Sequence, residues 1–178
     1  GVFDWNGSSK PNKLGEDILT IGLAAGLGKD CAIEAGGKCF TAPFTPTPLT
    51  RAECEAEKDK LGIKGCYWGT DYWAGAVKQC GGVSKMPTQA DLTELAKVLY
   101  NTSSINSSGF TFDLTLDTSK ASSMGFTGSD SHFFVWSGEE SHSNFAFYRY
   151  FDSSYTGRGN YTPGGRGDSS NQAVCLGE

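Results

Sequence analysis

The residues best suited to recognition chemistry lie in the last third of the chain, at positions 141–170. This stretch consists almost entirely of Ser, Asn, Tyr, Phe, Arg, His, Asp and Gly. Aromatic rings supply rigid contact area and short polar groups supply adaptable hydrogen bonds, so the composition is typical of a binding surface. The residues expected to contact a ligand are His142, Asn144, Phe145, Phe147, Arg149, Tyr155, Arg158, Tyr161 and Arg166.

Catalytic patterns are weak in comparison. The chain has two His, and neither lies in a Ser/His/Asp-like context. Glu139 and Glu140 are adjacent on a predicted strand, so they should point to opposite faces and could not act together on one bond. The tripeptide Arg166-Gly167-Asp168 lies in a predicted loop, but three-residue matches are frequent by chance. We therefore expect a protein that is not an enzyme and needs no cofactor.

One candidate metal site lies near the start of the chain. Asp4, Asn6 and Asp17 carry oxygen ligands of the kind that calcium prefers, but Gly15 stands where a calcium loop needs its bidentate Glu. Asp and Asn at such positions also hydrogen-bond their own backbone in turns. The turn interpretation is favoured, and no metal is predicted.

The cysteines indicate an oxidising compartment. There are six of them, none forms a CxxC pair, and His is too rare for zinc spacing. The simplest interpretation is three disulfides in an extracellular or bacterial cell-surface protein. Six cysteines allow about fifteen pairings, which spacing can only rank. Spacing favours Cys31–Cys39 around a turn and Cys54–Cys66 around a short helix, which leaves Cys80 and Cys175.

Size and charge narrow the class further. The chain has 178 residues and a net charge of −5, which suits a single domain over 1–178. No basic patch suggests a nucleic-acid partner, and no window approaches the length of a membrane span. The sequence has neither a signal peptide nor an initiator Met, which predicts a processed or truncated piece of a larger product.

The element pattern predicts an α+β fold. Helices are expected at 51–61, 72–80 and from Thr88 onward, on the evidence of capping residues and apolar periodicity. Strands are expected at 18–23, 110–116, 133–136, 145–151 and 173–176. Residues 1–50 should be irregular, and residues 152–172 should form a long loop, which points to a binding role.

Several segments, in this order, resemble the bacterial branch of the C-type-lectin-like fold. They are Trp73-(x)2-Ala76-(x)3-Cys80, Met86-Pro87-Thr88-(x)2-Asp91-Leu92, Trp136-Ser137-Gly138-Glu139-Glu140, and the closing Ala173-Val174-Cys175. The resemblance covers about residues 65–178 and implies two helices packed on a small twisted antiparallel sheet with long loops. The chain departs from the family pattern at Met86 and at Gln172, which precedes Ala173-Val174 where a basic residue is usual. The motifs of calcium-dependent sugar binding are absent from this sequence.

The start of the chain is similar to a different family. Phe3-Asp4-Trp5-Asn6-Gly7, followed by Pro11-Asn12-Lys13-Leu14-Gly15 and Asp17-Ile18, resembles a segment of type IV pilin-like proteins. This likeness implies a pilin-like N-terminal segment, 1–50, packed on a C-type-lectin-like core, 51–178. Contact with a membrane is expected only through an N-terminal helix that this chain lacks, and other pilin subunits are implied as partners.

The resemblance also carries a functional expectation. Variable proteins of diversity-generating retroelements use the C-type-lectin-like fold to display a hypervariable C-terminal patch, and residues 141–170 have the corresponding composition and place. The expected function is recognition or adhesion at a cell surface, with an unknown protein or glycan ligand. The alternative is a structural pilin or pseudopilin subunit that has no specific ligand.

The family pattern also assigns the faces of the strand at 145–151. Ala146 matches an inward position of the family, and alternate side chains of a strand lie on opposite faces. The odd-numbered side chains, Phe145, Phe147, Arg149 and Phe151, are therefore expected to face outward and to form a contact patch. The alternative is that Phe145 and Phe147 belong to the core and the loop is merely solvated.

Overall fold

The chain forms an α+β fold, as predicted. The computed structural model describes residues 31–105, 111, 114–127, 132–152 and 161–177, and of residues 161–163 only the backbone. In chain order the elements are β1 (Ile33–Ala35), β2 (Lys38–Phe40), α1 (Arg51–Leu61), α2 (Tyr72–Cys80), a 3-10 turn (Val83–Lys85), α3 (Gln89–Leu99), α4 (Thr118–Met124), β3 (His132–His142), β4 (Phe145–Asp152) and β5 (Tyr161–Gly165).

The first two helices begin and end where their capping residues predict. The Thr50 side chain accepts a hydrogen bond from the backbone N–H of Glu53, and the Glu53 carboxylate accepts one from the Thr50 N–H. Gly62 ends α1 in the left-handed conformation, at φ 80°. Asp71 caps α2 by accepting from the Ala74 N–H. These local bonds satisfy N–H groups that a helix start would otherwise leave unpaired.

Helix α3 has a capping box that also involves a salt bridge. Thr88 and Asp91 exchange backbone-to-side-chain hydrogen bonds, and the Lys38 ammonium lies 2.9 Å from the Asp91 carboxylate. Burial alone raises the pKa of Asp91, but the Thr88 hydrogen bonds and the Lys38 charge outweigh burial and hold this pKa below its usual value. The start of α3 is therefore most stable when Asp91 is ionised.

Strand β3 begins the three-stranded main sheet, in which the strand order is β3-β4-β5 and β4 is central. It pairs antiparallel with β4, which pairs antiparallel with β5. On its other side, Val135 forms a parallel bridge with Gln172. The C-terminal segment then continues along the N-terminal region through bridges between Phe44 and Ala173 and between Phe40 and Leu176. The two ends of the described chain are thus joined beside the main sheet.

Two clusters of buried side chains stabilise this arrangement. The first packs α3 and α4 against the sheet, with Leu92, Leu95, Phe133 and Phe151 among its members. The second packs α1 and α2 against the sheet around Trp73, Trp136 and Ala146. Because each cluster covers a different part of the sheet, neither face of the sheet is uniformly exposed.

The three disulfides are those that spacing favoured. Cys31 bonds Cys39, Cys54 bonds Cys66, and Cys80 bonds Cys175, which lies 95 residues away in sequence. The last bond connects the end of α2 to the C-terminal segment. Three disulfides indicate an oxidising, extracellular environment. Among the described residues, no helix is long and apolar enough to span a bilayer.

Several predicted strands differ from the structure. A strand is predicted over 110–116, but the described residues of this segment, 111 and 114–116, lie outside any strand. Helix α4, which the sequence did not predict, follows them. The predicted loop over 152–172 contains β5 at 161–165. The C-terminal residues 173–176 form isolated bridges in place of a strand. A hairpin, β1–β2, interrupts the segment predicted to be irregular.

Some expectations fall on residues that lie outside the described ranges. The predicted strand at 18–23, the calcium candidates Asp4, Asn6 and Asp17, and the pilin-like motif all belong to this group. Tyr155 and Arg158 of the predicted binding set also belong to it.

Candidate ligand-binding surface

The predicted binding residues fall into an exposed group and a buried group. His142, Asn144 and Phe145 are exposed at the turn between β3 and β4. Phe147 is half-buried on β4, whereas Arg149 and Arg166 are fully buried. Tyr161 is placed by its backbone alone, opposite Arg149 in the β4–β5 ladder. Among the described members of the predicted set, the group at the β3–β4 turn is therefore the one whose side chains are exposed to solvent.

A second loop meets this turn. A Cβ placed on Gly65 would lie 3.3 Å from the Cβ of Ser143, and one placed on Gly167 would lie 2.9 Å from the ring of Tyr67. The Tyr67 and Trp68 rings contact each other with centroids 5.3 Å apart. We call this surface the tip patch and define it as Tyr67, Trp68, His142, Ser143, Asn144, Phe145, Gly167 and Asp168.

The tip patch carries the most exposed large apolar side chains of the described chain. Trp68 is 71% exposed and Phe145 is 39% exposed, and within the described ranges no other large hydrophobic side chain is classed as exposed. Phe145 packs its ring against the edge of His142, with centroids 4.8 Å apart. Large exposed aromatic side chains that are gathered on loops mark an interaction site better than scattered ones do.

Beneath the tip patch lies a buried ion cluster, which we define as Asp71, Glu140 and Arg166. The Arg166 guanidinium uses all five of its N–H donors. Nε donates to Asp71 at 3.0 Å and Nη2 donates to Asp71 at 2.7 Å. The other donors reach Glu140 at 2.9 Å, the His142 carbonyl at 3.2 Å and the Gly65 carbonyl at 2.9 Å. A buried Arg with every donor satisfied can stabilise a fixed geometry.

The two carboxylates of the ion cluster are also satisfied by backbone groups. Asp71 accepts from the Ala74 N–H at 2.8 Å. Glu140 accepts from the Lys64 N–H at 2.8 Å and from the Gly65 N–H at 3.0 Å. The cluster thus connects the start of α2, the loop at 64–65 and the β3–β4 turn. These are the same backbone segments that present the tip patch.

Further contacts fix Arg166 itself. Its backbone N–H donates to the Asn144 carbonyl at 3.0 Å, and its carbonyl accepts from the Tyr72 N–H at 2.8 Å. Its guanidinium carbon lies 4.5 Å from the centroid of the Trp73 ring, which is a cation–π distance. The expectation that Arg166 contacts a ligand directly is therefore wrong, since its side chain is wholly engaged inside the protein.

The predicted orientation of β4 is also wrong for part of the strand. Ala146 is buried, as expected, but Arg149 and Phe151 are buried as well because they pair with Val135 and Phe133 of β3, which face the first core cluster. The Arg149 guanidinium lies 5.7 Å from the centroid of the Phe151 ring. Since both faces of the sheet are covered in places, an inward Ala146 does not make the opposite face exposed.

The other face of the sheet carries a continuous line of rings. We call it the aromatic row and define it as His132, Phe134, Tyr148 and Tyr150, all half-buried. His132 stacks on Tyr150 with centroids 5.4 Å apart, and Phe134 meets both Tyr148 and Tyr150 edge-on. Phe134 and Tyr150 are direct cross-strand partners. In this part of β4 the even-numbered Tyr148 and Tyr150 are therefore more exposed than the odd-numbered Arg149 and Phe151, contrary to the predicted assignment.

Glu139 and Glu140 contact different elements. Glu139 accepts from the backbone and side-chain amides of Gln89 at the start of α3, whereas Glu140 bonds the ion cluster. Both carboxylates connect the end of β3 to neighbouring elements. Within the described ranges, no group of three or more His, Cys, Asp or Glu side chains is arranged to hold a metal.

Comparison with family models, with curated proteins and with solved structures found no match to this chain. The surface must therefore be interpreted from its own chemistry. Sequence reasoning missed Tyr67 and Trp68, although two adjacent aromatic residues just before a Gly, in a loop that follows Cys66, were available as a signal.

Proposed function

We propose that this chain is a cell-surface recognition or adhesion domain whose ligand-contacting surface is the tip patch. One observation carries the proposal: Trp68 and Phe145, the exposed large apolar side chains of the described ranges, lie on the loop after Cys66 and at the start of β4, which the buried ion cluster joins. Solvent-exposed aromatic side chains are favourable for binding when little entropy is lost on ordering them. The loops beneath these rings are already ordered by Arg166.

The chemistry of the tip patch favours a ligand with both apolar and uncharged polar groups. Trp68, Tyr67 and Phe145 offer ring faces, and Ser143 and Asn144 offer hydrogen-bond donors and acceptors. Asp168 is engaged locally, since it accepts from the backbone N–H and the hydroxyl of Ser170. A protein surface or a glycan supplies such groups, and both remain within the proposal.

We further propose that the scaffold is C-type-lectin-like and that the patch varies between copies of the gene. The small antiparallel sheet, the packed helices and the Cys80–Cys175 bond support the scaffold. If the patch varies, substitutions should concentrate at exposed positions such as 142–145 and 168, while Arg149 and Arg166 stay constant because they are buried. Sequencing independent clones, and searching beside the gene for a template repeat and a reverse transcriptase, tests this part.

The binding proposal is tested by screening the intact chain. The oxidised wild-type protein is applied to arrays of glycans and of extracellular proteins, in parallel with the double variant Trp68→Ala/Phe145→Ala. We expect at least one class of probe to bind the wild-type protein and not to bind the double variant. If no probe binds and chemical labelling shows Trp68 protected between subunits of a filament, the chain is a structural subunit and the proposal is wrong.

A further inference from the structure

The apolar area of the tip patch is small for a protein interface. Trp68 is 71% exposed and Phe145 is 39% exposed, so the two rings together offer about 250 Å² of apolar surface. Tyr67 is half-buried and adds less. A stable protein interface covers about 800 Å² on each partner, more than half of it apolar. The described patch therefore supplies only about half of the apolar area that a protein partner would cover, which is enough for a short saccharide.

The charges beneath the tip patch are not available to a ligand. Arg166 gives its N–H donors to Asp71, to Glu140 and to two backbone carbonyl groups. Among the residues that define the patch, all of them described, Asp168 alone carries a carboxylate, and none carries an ammonium or guanidinium group. The Asp168 carboxylate already accepts from the backbone N–H and the hydroxyl of Ser170. An acidic ligand would meet this carboxylate without a compensating cation in the patch, so an uncharged ligand fits better.

The exposed side chains of the patch match the two kinds of surface that a sugar presents. One face of a pyranose ring carries weakly positive C–H bonds, which pack on the negative face of an aromatic ring. Trp68 is the most exposed large hydrophobic side chain of the described chain. The sugar hydroxyls need short donors and acceptors, which the exposed Ser143 and Asn144 provide. Ser143 lies against the loop that carries Trp68, because a Cβ placed on Gly65 would be 3.3 Å from the Ser143 Cβ.

The loop that carries Trp68 is fixed on two sides. Cys66, which comes shortly before Trp68, is bonded to Cys54 of α1. The N–H and the carbonyl of Gly65 both bond the ion cluster. A saccharide buries little area, so its binding tolerates only a small loss of entropy when the site is ordered. Because these contacts already order the backbone beside the ring, little of that entropy remains to be lost.

We propose that the tip patch binds an uncharged oligosaccharide, with one sugar ring stacked on Trp68 and its hydroxyls bonded by Ser143 and Asn144. This inference rests on the proposed function, because it names the class of ligand for the same surface. Stacking and neutral hydrogen bonds need no bridging ion, so binding should persist in EDTA.

The class of ligand is tested with paired probes. The oxidised intact chain is applied in EDTA to oligomers of glucose, galactose, mannose and N-acetylglucosamine, each beside its sialylated or sulfated form, with extracellular proteins on the same array. We expect uncharged oligomers to bind, and their acidic forms to bind more weakly by about threefold or more. Equal or tighter binding of the acidic forms would make the inference wrong. Binding to proteins alone would also make it wrong but would leave the proposed function standing, whereas binding to no probe would contradict both.

Two variants at one position separate stacking from simple apolar contact. Trp68→Tyr keeps a flat ring, whereas Trp68→Leu keeps an apolar side chain that has no ring face. For the uncharged oligomer that binds most tightly, we expect Trp68→Leu to weaken binding by about tenfold or more and Trp68→Tyr to weaken it less. Ser119→Ala, at an exposed position on α4, should leave the affinity unchanged. Trp68 is exposed, so both variants should fold, which their urea midpoints check. Equal affinities of Trp68→Leu and Trp68→Tyr would overturn the inference.

Discussion

Replacing Arg166 with Met would remove the charge beneath the tip patch, together with the guanidinium that lies over the Trp73 ring, while retaining most of the apolar stem of the side chain. Five hydrogen bonds would be lost, and two carboxylates would be left buried without their cation. Breaking a buried ion pair in this way costs about 3–5 kcal/mol, because the remaining charge is uncompensated. We expect the free energy of unfolding to fall by about that amount, and Arg166→Lys to lose less because it keeps the charge.

The assay is urea unfolding of the oxidised protein at pH 7, with the slope compared between variants. Arg51→Ala serves as control, because this side chain is largely exposed and its nearest approach to Glu55 is 3.9 Å; its midpoint should match wild type. Adding Asp71→Asn and Glu140→Gln to Arg166→Met should recover part of the loss. If Arg166→Met lowers the free energy of unfolding by less than about 1 kcal/mol, the reasoning is refuted, because breaking a buried ion pair should cost more than that.

Three further predictions concern the scaffold. The double variant Cys80→Ala/Cys175→Ala opens a link that spans 95 residues and should lower the free energy of unfolding by roughly 4–5 kcal/mol on the chain-entropy model; an unchanged urea midpoint would contradict this. Gly75→Ala should be destabilising by about 1–3 kcal/mol or more, because the added Cβ would meet the Thr47 carbonyl, and calorimetry should show a lower Tm. Since the pKa of Asp91 is lowered on folding, its contribution is present above about pH 3.9 and is lost as the pH falls through its folded pKa; Asp91→Asn should therefore be less stable than wild type at pH 6, and the difference should shrink in acid unfolding curves.

The helices were predictable because their signals are local. The capping boxes at Thr50 and Thr88 and the glycine exit at Gly62 act within a few residues of the chain, so no distant partner is needed to form them. The polar helix α4 was missed for a related reason. Its apolar periodicity is weak, and only its flanking residues, Asp117 and Gly125, indicated where it begins and ends.

The candidate site was less predictable because its geometry depends on distant partners. Arg166 is buried by Asp71, which lies 95 positions earlier, and Arg149 is buried because β4 pairs with β3 in one particular register. Alternation along one strand cannot show which face a neighbouring strand covers. The alternating pattern at 110–116 likewise predicted a strand, but the described residues 111 and 114–116 pair with no strand. Alternation within the segment could not show this.

The central claim is that the tip patch contacts the ligand and that the ion cluster holds it in place. It is tested most directly by the dissociation constant of the wild-type chain for the probe found by the array screen. We predict that Trp68→Ala and Phe145→Ala each weaken binding at least tenfold, while Val98→Ala, a half-buried apolar position on α3, leaves it within a factor of about two. Equal affinities for all three variants and the wild type would contradict the account.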